Sequence, residues 1–146
     1  VFVSSETFSS GFSNLSIADG FCQSLADGAG LSGTWKALIS NGRQSVQDRV
    51  VIRGEVVNMS GQTIAENPQD FWGGMAINPP DLSELGQPPS DAVAWVGGHQ
   101  YHCQDWDVVN PSIGGAQALT TNPSAWLYGS GHGPCSLSRS FLCISQ

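Results

Sequence analysis

Four cysteines constrain this chain more than any other feature, because each way of using them implies a different class of protein. They are Cys22, Cys103, Cys135 and Cys143. None belongs to a Cys-x-x-Cys pair, which disfavours a zinc ribbon and a thioredoxin-type redox motif. An even number of cysteines in a chain of 146 residues favours two disulfides in an exported domain. Three pairings are open, and the spacing does not choose among them.

The stretch ADGFCQSLADGAGLSGTWKALIS, residues 18–40, places the first cysteine on a predicted helix. Ser16 is the expected N-cap, with Asp19 three positions later in a capping-box relation. Apolar residues recur at helical spacing and form one face: Ile17, Phe21, Cys22, Leu25, Ala26 and Ala29. Gly30 stands where a helix ends in a left-handed residue. Cys22 is therefore expected to point inward.

The rest of the chain is typical of short strands and long loops. Strands are predicted at residues 1–3, 33–40 and 93–98, in a hairpin around Ser60 and Gly61, and in the C-terminal SRSFLCIS. Helical turns are predicted at residues 43–50 and in NPQDFW, where Asn67 precedes Pro68 at the first helical position. Residues 73–92 are rich in proline and glycine and predict a long loop, and residues 110–134 predict a second irregular stretch.

The composition excludes several classes of partner. The net charge is −7, from 12 acidic and 5 basic residues, and the basic residues do not cluster. Phosphate-rich partners need clustered lysine and arginine, so we expect no nucleic-acid binding. No apolar run approaches the roughly 20 residues that span a bilayer, so we expect no membrane insertion. The length suits a single domain over residues 1–146, and the opening VFVSSETF suggests a piece excised from the end of a longer extracellular protein.

Several of these stretches carry a family resemblance. The helix-and-strand block at residues 18–40 resembles that of the endostatin-like domains of collagens XV and XVIII, and is more similar still to a family of related secreted bacterial domains. The later landmarks VAWVG, CQDW and CSLSRSFLC follow in the same order. The resemblance implies an α+β, C-type lectin-like fold with short mixed strands, one main N-terminal helix and long loops. It also implies two nested disulfides, Cys22 with Cys143 and Cys103 with Cys135.

Metal and catalytic sites are not expected. The tripeptides QPP at residues 87–89 and DWD at residues 105–107 differ from the calcium-binding motifs of C-type lectins, and calcium needs six to eight oxygen ligands. The HQYHC stretch contains His99 and His102, but the resemblance assigns its cysteine to a disulfide. Ser130 and His132 lie in YGSGHGPC, which is not a nucleophile elbow. We therefore expect no cofactor and no enzymatic activity.

The aromatic residues divide into core and surface. Trp35 and Trp95 lie on apolar strands, and Trp106 and Trp126 match packed positions of the family, so all four are expected in the core. Aromatic rings beside hydrogen-bonding side chains in loops suit sugar surfaces and protein hot spots alike. The candidate recognition residues on this basis are His99, Tyr101, His102, Asp107, Tyr128 and His132.

The function expected from the resemblance is recognition or adhesion outside the cell. The partner would be a surface glycan or protein, bound through the loops at residues 73–92 and 98–134. Modules of this kind often stand at the end of a stalk or fibre. A domain at the tip of a fibre shares the symmetry of the fibre shaft, which suggests a homotrimer. Two alternatives are open: a structural or oligomerisation domain without a separate ligand, and a secreted hydrolase.

Overall fold

The computed structural model describes residues 1–97, 100–128 and 131–146, and within them the chain is α+β with one long helix. The strands are β1 (Phe2–Val3), β2 (Phe8–Ser9), β3 (Trp35–Ala37), β4 (Val56–Val57), β5 (Thr63–Ala65), β6 (Val93–Trp95), β7 (Gly114–Leu119), β8 (Gly131–Pro134) and β9 (Ser138–Ser145). The helices are α1 (Leu15–Gly28), α2 (Val46–Arg49), α3 (Pro68–Gly73) and α4 (Cys103–Trp106). No helix in the described ranges is both long and apolar enough to cross a membrane.

Strand β9 is the centre of the main sheet. It pairs antiparallel with β1, β2 and β3 and parallel with β6, and β7 and β8 extend the sheet beyond β6. Five consecutive residues of β9, from 140 to 144, are buried. A strand that is covered on both faces needs an apolar run instead of alternation, and SFLCI supplies one. The C-terminal strand predicted from SRSFLCIS is thus confirmed.

Helix α1 begins two residues earlier than predicted. Its N-cap is Asn14, whose side-chain oxygen accepts a hydrogen bond from the Ser16 amide at 2.9 Å, so the prediction of Ser16 as cap is wrong. Asp19 does not complete a capping box, because its carboxylate accepts from the Ala37 amide of β3 instead. The buried face consists of Leu15, Ala18, Cys22 and Ala26. Ile17 is 44% exposed, which corrects its assignment to the buried face.

Two disulfides tie the fold together, in the pairing that the family resemblance implied. Cys22 on α1 is bonded to Cys143 on β9 across 121 residues, with the Cα atoms 5.5 Å apart. Cys103 on α4 is bonded to Cys135 across 32 residues, with the Cα atoms 5.6 Å apart. All four sulfurs lie in one hydrophobic cluster, which also contains Trp35, Trp95, Trp106 and five phenylalanines. The helix and the terminal strand are therefore joined covalently through the core.

Three other local predictions in the first half of the chain are confirmed. β4 and β5 form the hairpin around Ser60 and Gly61, α2 is the turn predicted at residues 43–50, and α3 starts at Pro68 after the Asn67 cap. The described residues 74–92 contain neither a helix nor a strand, only one bridge between Val3 and Ser83. The four tryptophans assigned to the core are all buried.

The irregular stretch predicted at residues 110–134 is wrong, since β7 and β8 lie within it. β7 has the sequence GGAQAL, and close packing requires glycine at position 115. A Cβ at Gly115 would lie 2.7 Å from Cys103 Sγ and 2.7 Å from the Trp95 ring. The glycines weaken the intrinsic strand propensity of β7, and its pairing with β6 on one side and β8 on the other overrides this preference.

Candidate binding site

Tyr101 and His132 form one stacked pair on the β7–β8 side of the sheet. Their ring centroids are 4.3 Å apart and the rings are 4° from parallel. The Tyr101 carbonyl accepts a hydrogen bond from the Ala116 amide at 2.8 Å, and His132 lies opposite Ala116 in the β7–β8 register. A Cβ at Gly114 would lie 3.0 Å from the His132 ring and 3.3 Å from the Tyr101 ring. Tyr101, 42% exposed, is therefore held in one orientation at the surface.

Helix α4 is a left-handed turn built from residues other than glycine. The φ angles of Cys103, Gln104, Asp105 and Trp106 are 49°, 52°, 60° and 66°. Each L-residue in this conformation costs about 1–2 kcal/mol, because its Cβ crowds the following carbonyl. The turn is held at both ends. Cys103 is bonded to Cys135, and the buried Trp106 indole donates to the Ser40 carbonyl at 2.7 Å.

His102 and Asp105 fasten this turn to the neighbouring loop. His102 is the N-cap, and its Nδ1 accepts a hydrogen bond from the Asp105 amide at 2.8 Å. Asp105 Oδ1 accepts from the Gly42 amide at 2.8 Å, and Oδ2 lies 3.6 Å from Arg43 Nε. His102, predicted as a recognition residue, thus positions the backbone of α4.

Asp107 lies at the edge of a polar hollow next to α4. Its Oδ1 accepts a hydrogen bond from the Ser13 hydroxyl at 2.5 Å. The hollow has a volume of about 350 Å³ and is lined by Ser13, Asn41, Arg43, Gln104, Asp105 and Asp107. We call it the α4 hollow. Among these six residues, only Asp107 belongs to the recognition set predicted from the sequence.

The Tyr128 side chain is held by hydrogen bonds at a separate surface position, beside α2 and α3. Its hydroxyl donates to the Trp72 carbonyl at 2.5 Å and accepts from Gln47 Nε2 at 3.1 Å. Its ring lies over Gly74, where φ is 75° and a Cβ would lie 2.7 Å from the ring. Tyr128 is 50% exposed and borders a hollow of about 320 Å³ that also includes Ser40, Ser45 and Gly97.

Residues 40–48 contact both α4 and Tyr128, although no residue of this segment belongs to the recognition set predicted from the sequence. Gly42 in this segment contacts α4, and Gln47 contacts Tyr128. The available signal was the Asn41-Gly42 turn dipeptide between a strand and a helical turn, which marks a loop but not what the loop contacts.

The predicted recognition residues therefore do not form a single cluster in the described residues. Tyr101 contacts His132, His102 contacts Asp105, Asp107 borders the α4 hollow, and Tyr128 lies beside Gln47. His99 lies outside the described residues, as does Ser130. Within residues 1–97, 100–128 and 131–146, no three histidine, cysteine, aspartate or glutamate side chains are grouped so as to hold a metal ion.

Comparison with known proteins adds no relative from which a function could be read. No protein-family model matches the chain, and no curated protein matches it either. The function is therefore inferred from the chain's own side chains and their geometry.

Proposed function

We propose that this chain is an extracellular recognition module of the endostatin-like, C-type lectin-like type, which binds surface glycans or proteins through its loops. Two disulfides, as found here, are typical of domains that fold in oxidising compartments. The net charge of −7 favours a neutral or basic partner over a polyanion. The proposal includes a homotrimer in which the loops stay accessible.

The observation that carries the proposal is the pair of exposed tyrosines with fixed rings. Tyr101 is held by the His132 ring, and Tyr128 is held by hydrogen bonds to Trp72 and Gln47. Binding normally costs about 0.5–1.5 kcal/mol for each side chain that becomes ordered. A ring that is already ordered avoids this cost and offers an apolar face beside polar groups. Such rings suit recognition of a sugar ring or of a protein side chain.

A glycan array with matched surface variants tests this function. We expect specific signals from the 146-residue chain that are lost in Tyr101→Ala or Tyr128→Ala. Ile17→Ala is the control, because Ile17 is also exposed but lies on α1, outside the recognition loops. Its array profile should match that of the parent chain.

Sedimentation of the same proteins separates recognition from assembly. A recognition module keeps both tyrosines accessible, whatever its mass in solution. A tight oligomer that dissociates in Tyr101→Ala and Tyr128→Ala, with no glycan or protein bound by the parent, would instead identify a structural assembly domain and overturn the proposal.

A further inference from the structure

The α4 hollow combines three chain segments that are far apart in sequence. Ser13 precedes α1, Asn41 and Arg43 belong to the segment of residues 40–48, and the rest comes from α4 and Asp107. Its volume of about 350 Å³ lies at the lower end of the range of roughly 300–1,000 Å³ that is usual for small-ligand pockets. Every lining side chain is polar, whereas most ligand pockets are predominantly apolar. This hollow suits a small ligand with many hydroxyl groups.

Several polar groups of the hollow have hydrogen-bonding capacity to spare. Within the described residues, the Gln104 carboxamide makes no hydrogen bond, and Asp107 Oδ2 accepts none. The Arg43 side chain is 87% exposed, and its approach to Asp105 is 3.6 Å. Asn41 Oδ1 accepts from the amides of Arg43 and Gln44, which leaves the Asn41 amino group as a donor.

The walls that carry these groups are fixed. The Asp105 carboxylate holds the Gly42 amide, and α4 is tied to the core by its disulfide and by the Trp106 indole. The Ser13 hydroxyl donates a hydrogen bond to Asp107, and the Ser13 amide donates one to the Trp106 carbonyl at 3.2 Å. The backbone of the hollow and the Asp105 and Asp107 carboxylates are therefore ordered before a ligand arrives, so that mainly the Gln104 and Arg43 side chains lose entropy on binding.

From this arrangement we infer that the α4 hollow is a saccharide subsite that binds the hydroxyl groups of a neutral sugar. The inference rests on the proposed function and names its ligand class. Carboxylate, carboxamide and guanidinium groups in one hollow hydrogen-bond both as donors and as acceptors, which matches neighbouring hydroxyls of a sugar ring. Gln104 and Asp107 contact the sugar, Arg43 donates to it, and Asp105 positions the wall.

The charge of the hollow excludes an acidic sugar. Asp105 and Asp107 outweigh Arg43, and the whole chain carries a net charge of −7. The carboxylate of an acidic sugar would be repelled by the carboxylates of Asp105 and Asp107, and only the Arg43 guanidinium would attract it. The negative net charge of the chain adds to this repulsion. A protein side chain is disfavoured for a different reason, since no apolar residue lines the hollow.

The test uses an array of neutral and sialylated oligosaccharides, followed by titration calorimetry with the neutral glycan that gives the strongest signal. Gln104→Ala and Asp107→Asn should each weaken binding at least tenfold. Gln69→Ala, at an exposed glutamine of α3 outside both recognition loops, should stay within twofold of the parent. Thermal melts of all variants confirm that each is folded.

Three results would overturn the subsite. They are signals from sialylated glycans alone, binding within twofold of the parent in both hollow variants, and no saccharide bound by the parent. If Tyr101→Ala and Tyr128→Ala abolish binding while the hollow variants do not, the subsite fails and the proposed function stands. The proposed function itself fails if the parent binds neither a glycan nor a protein, or if its binding is unchanged in both tyrosine variants.

Discussion

Replacing Cys22 and Cys143 together with alanine removes the disulfide between α1 and β9. Both residues are fully buried, so alanine leaves no unsatisfied hydroxyl, as serine would. The disulfide spans 121 residues. The Cys103–Cys135 disulfide remains in this variant and bypasses 32 of these residues, so the effective loop has about 90 residues (121 − 32). For a loop of that length the chain-entropy relation gives a loss of about 4.6 kcal/mol in the free energy of unfolding. Removing Cys103 and Cys135, which span 32 residues, gives about 3.7 kcal/mol by the same relation.

Urea unfolding of the two double variants, without reductant, measures these losses. Domains of this size have a total stability of about 5–15 kcal/mol, so the outer double variant should be close to unfolding in dilute buffer. Peptide mapping should find no alkylatable thiol in the parent, because all four cysteines are paired. A loss below about 2 kcal/mol in the outer variant would refute the claim that the covalent link between α1 and β9 is a main constraint on the fold.

Three further perturbations test other parts of the structure by urea unfolding. Gln104→Gly should raise the free energy of unfolding by about 0.5–1 kcal/mol, because glycine adopts the φ of 52° without the Cβ clash; a destabilised variant would contradict the left-handed turn. Arg49→Met should lower the free energy of unfolding by about 3 kcal/mol, because the buried guanidinium donates to Asp19 and to the carbonyls of Ala37 and Ile39. A change below about 1 kcal/mol would contradict a structural role for this buried ion pair. In the 146-residue chain with a free amino group, burial lowers the pKa of the Val1 amine from 8.0 to about 5. The folded state therefore disfavours its protonation, and stability should fall as the pH drops from 8 to 5, by up to about 4 kcal/mol. A flat pH profile over this range, or the same slope after acetylation of the amine, would contradict the burial.

The fold was predictable from sequence where local signals agree with tertiary packing. Helix α1 has a clear apolar period, α3 has its asparagine cap and proline, and the terminal strand is an apolar run. The disulfide pairing came from the family resemblance, since spacing allows three pairings. β7 was missed because GGAQAL has weak strand propensity, and its structure depends on β6, β8 and the space left by Gly115.

The candidate site was predictable only in part, for a different physical reason. Tyr101, Tyr128 and Asp107 stand out as aromatic or acidic residues in loops, and the structure places all three at the surface. The α4 hollow also needs Asn41 and Arg43, which reach it only through long-range contacts of residues 40–48. The left-handed turn has no signal in CQDW, because no glycine marks it and tertiary contacts impose it.

The most direct test of recognition through the α4 hollow is a titration of the ¹⁵N-labelled chain, followed by amide chemical shifts, with the neutral oligosaccharide selected on the array. The largest shifts should fall on the amides of Gly42, Gln104 and Asp107, which surround the hollow, and should saturate with one binding constant. Ile17 and other amides of α1 should not move. Saturating shifts that avoid residues 41–43 and 104–107, or no shifts at millimolar saccharide, would contradict the account.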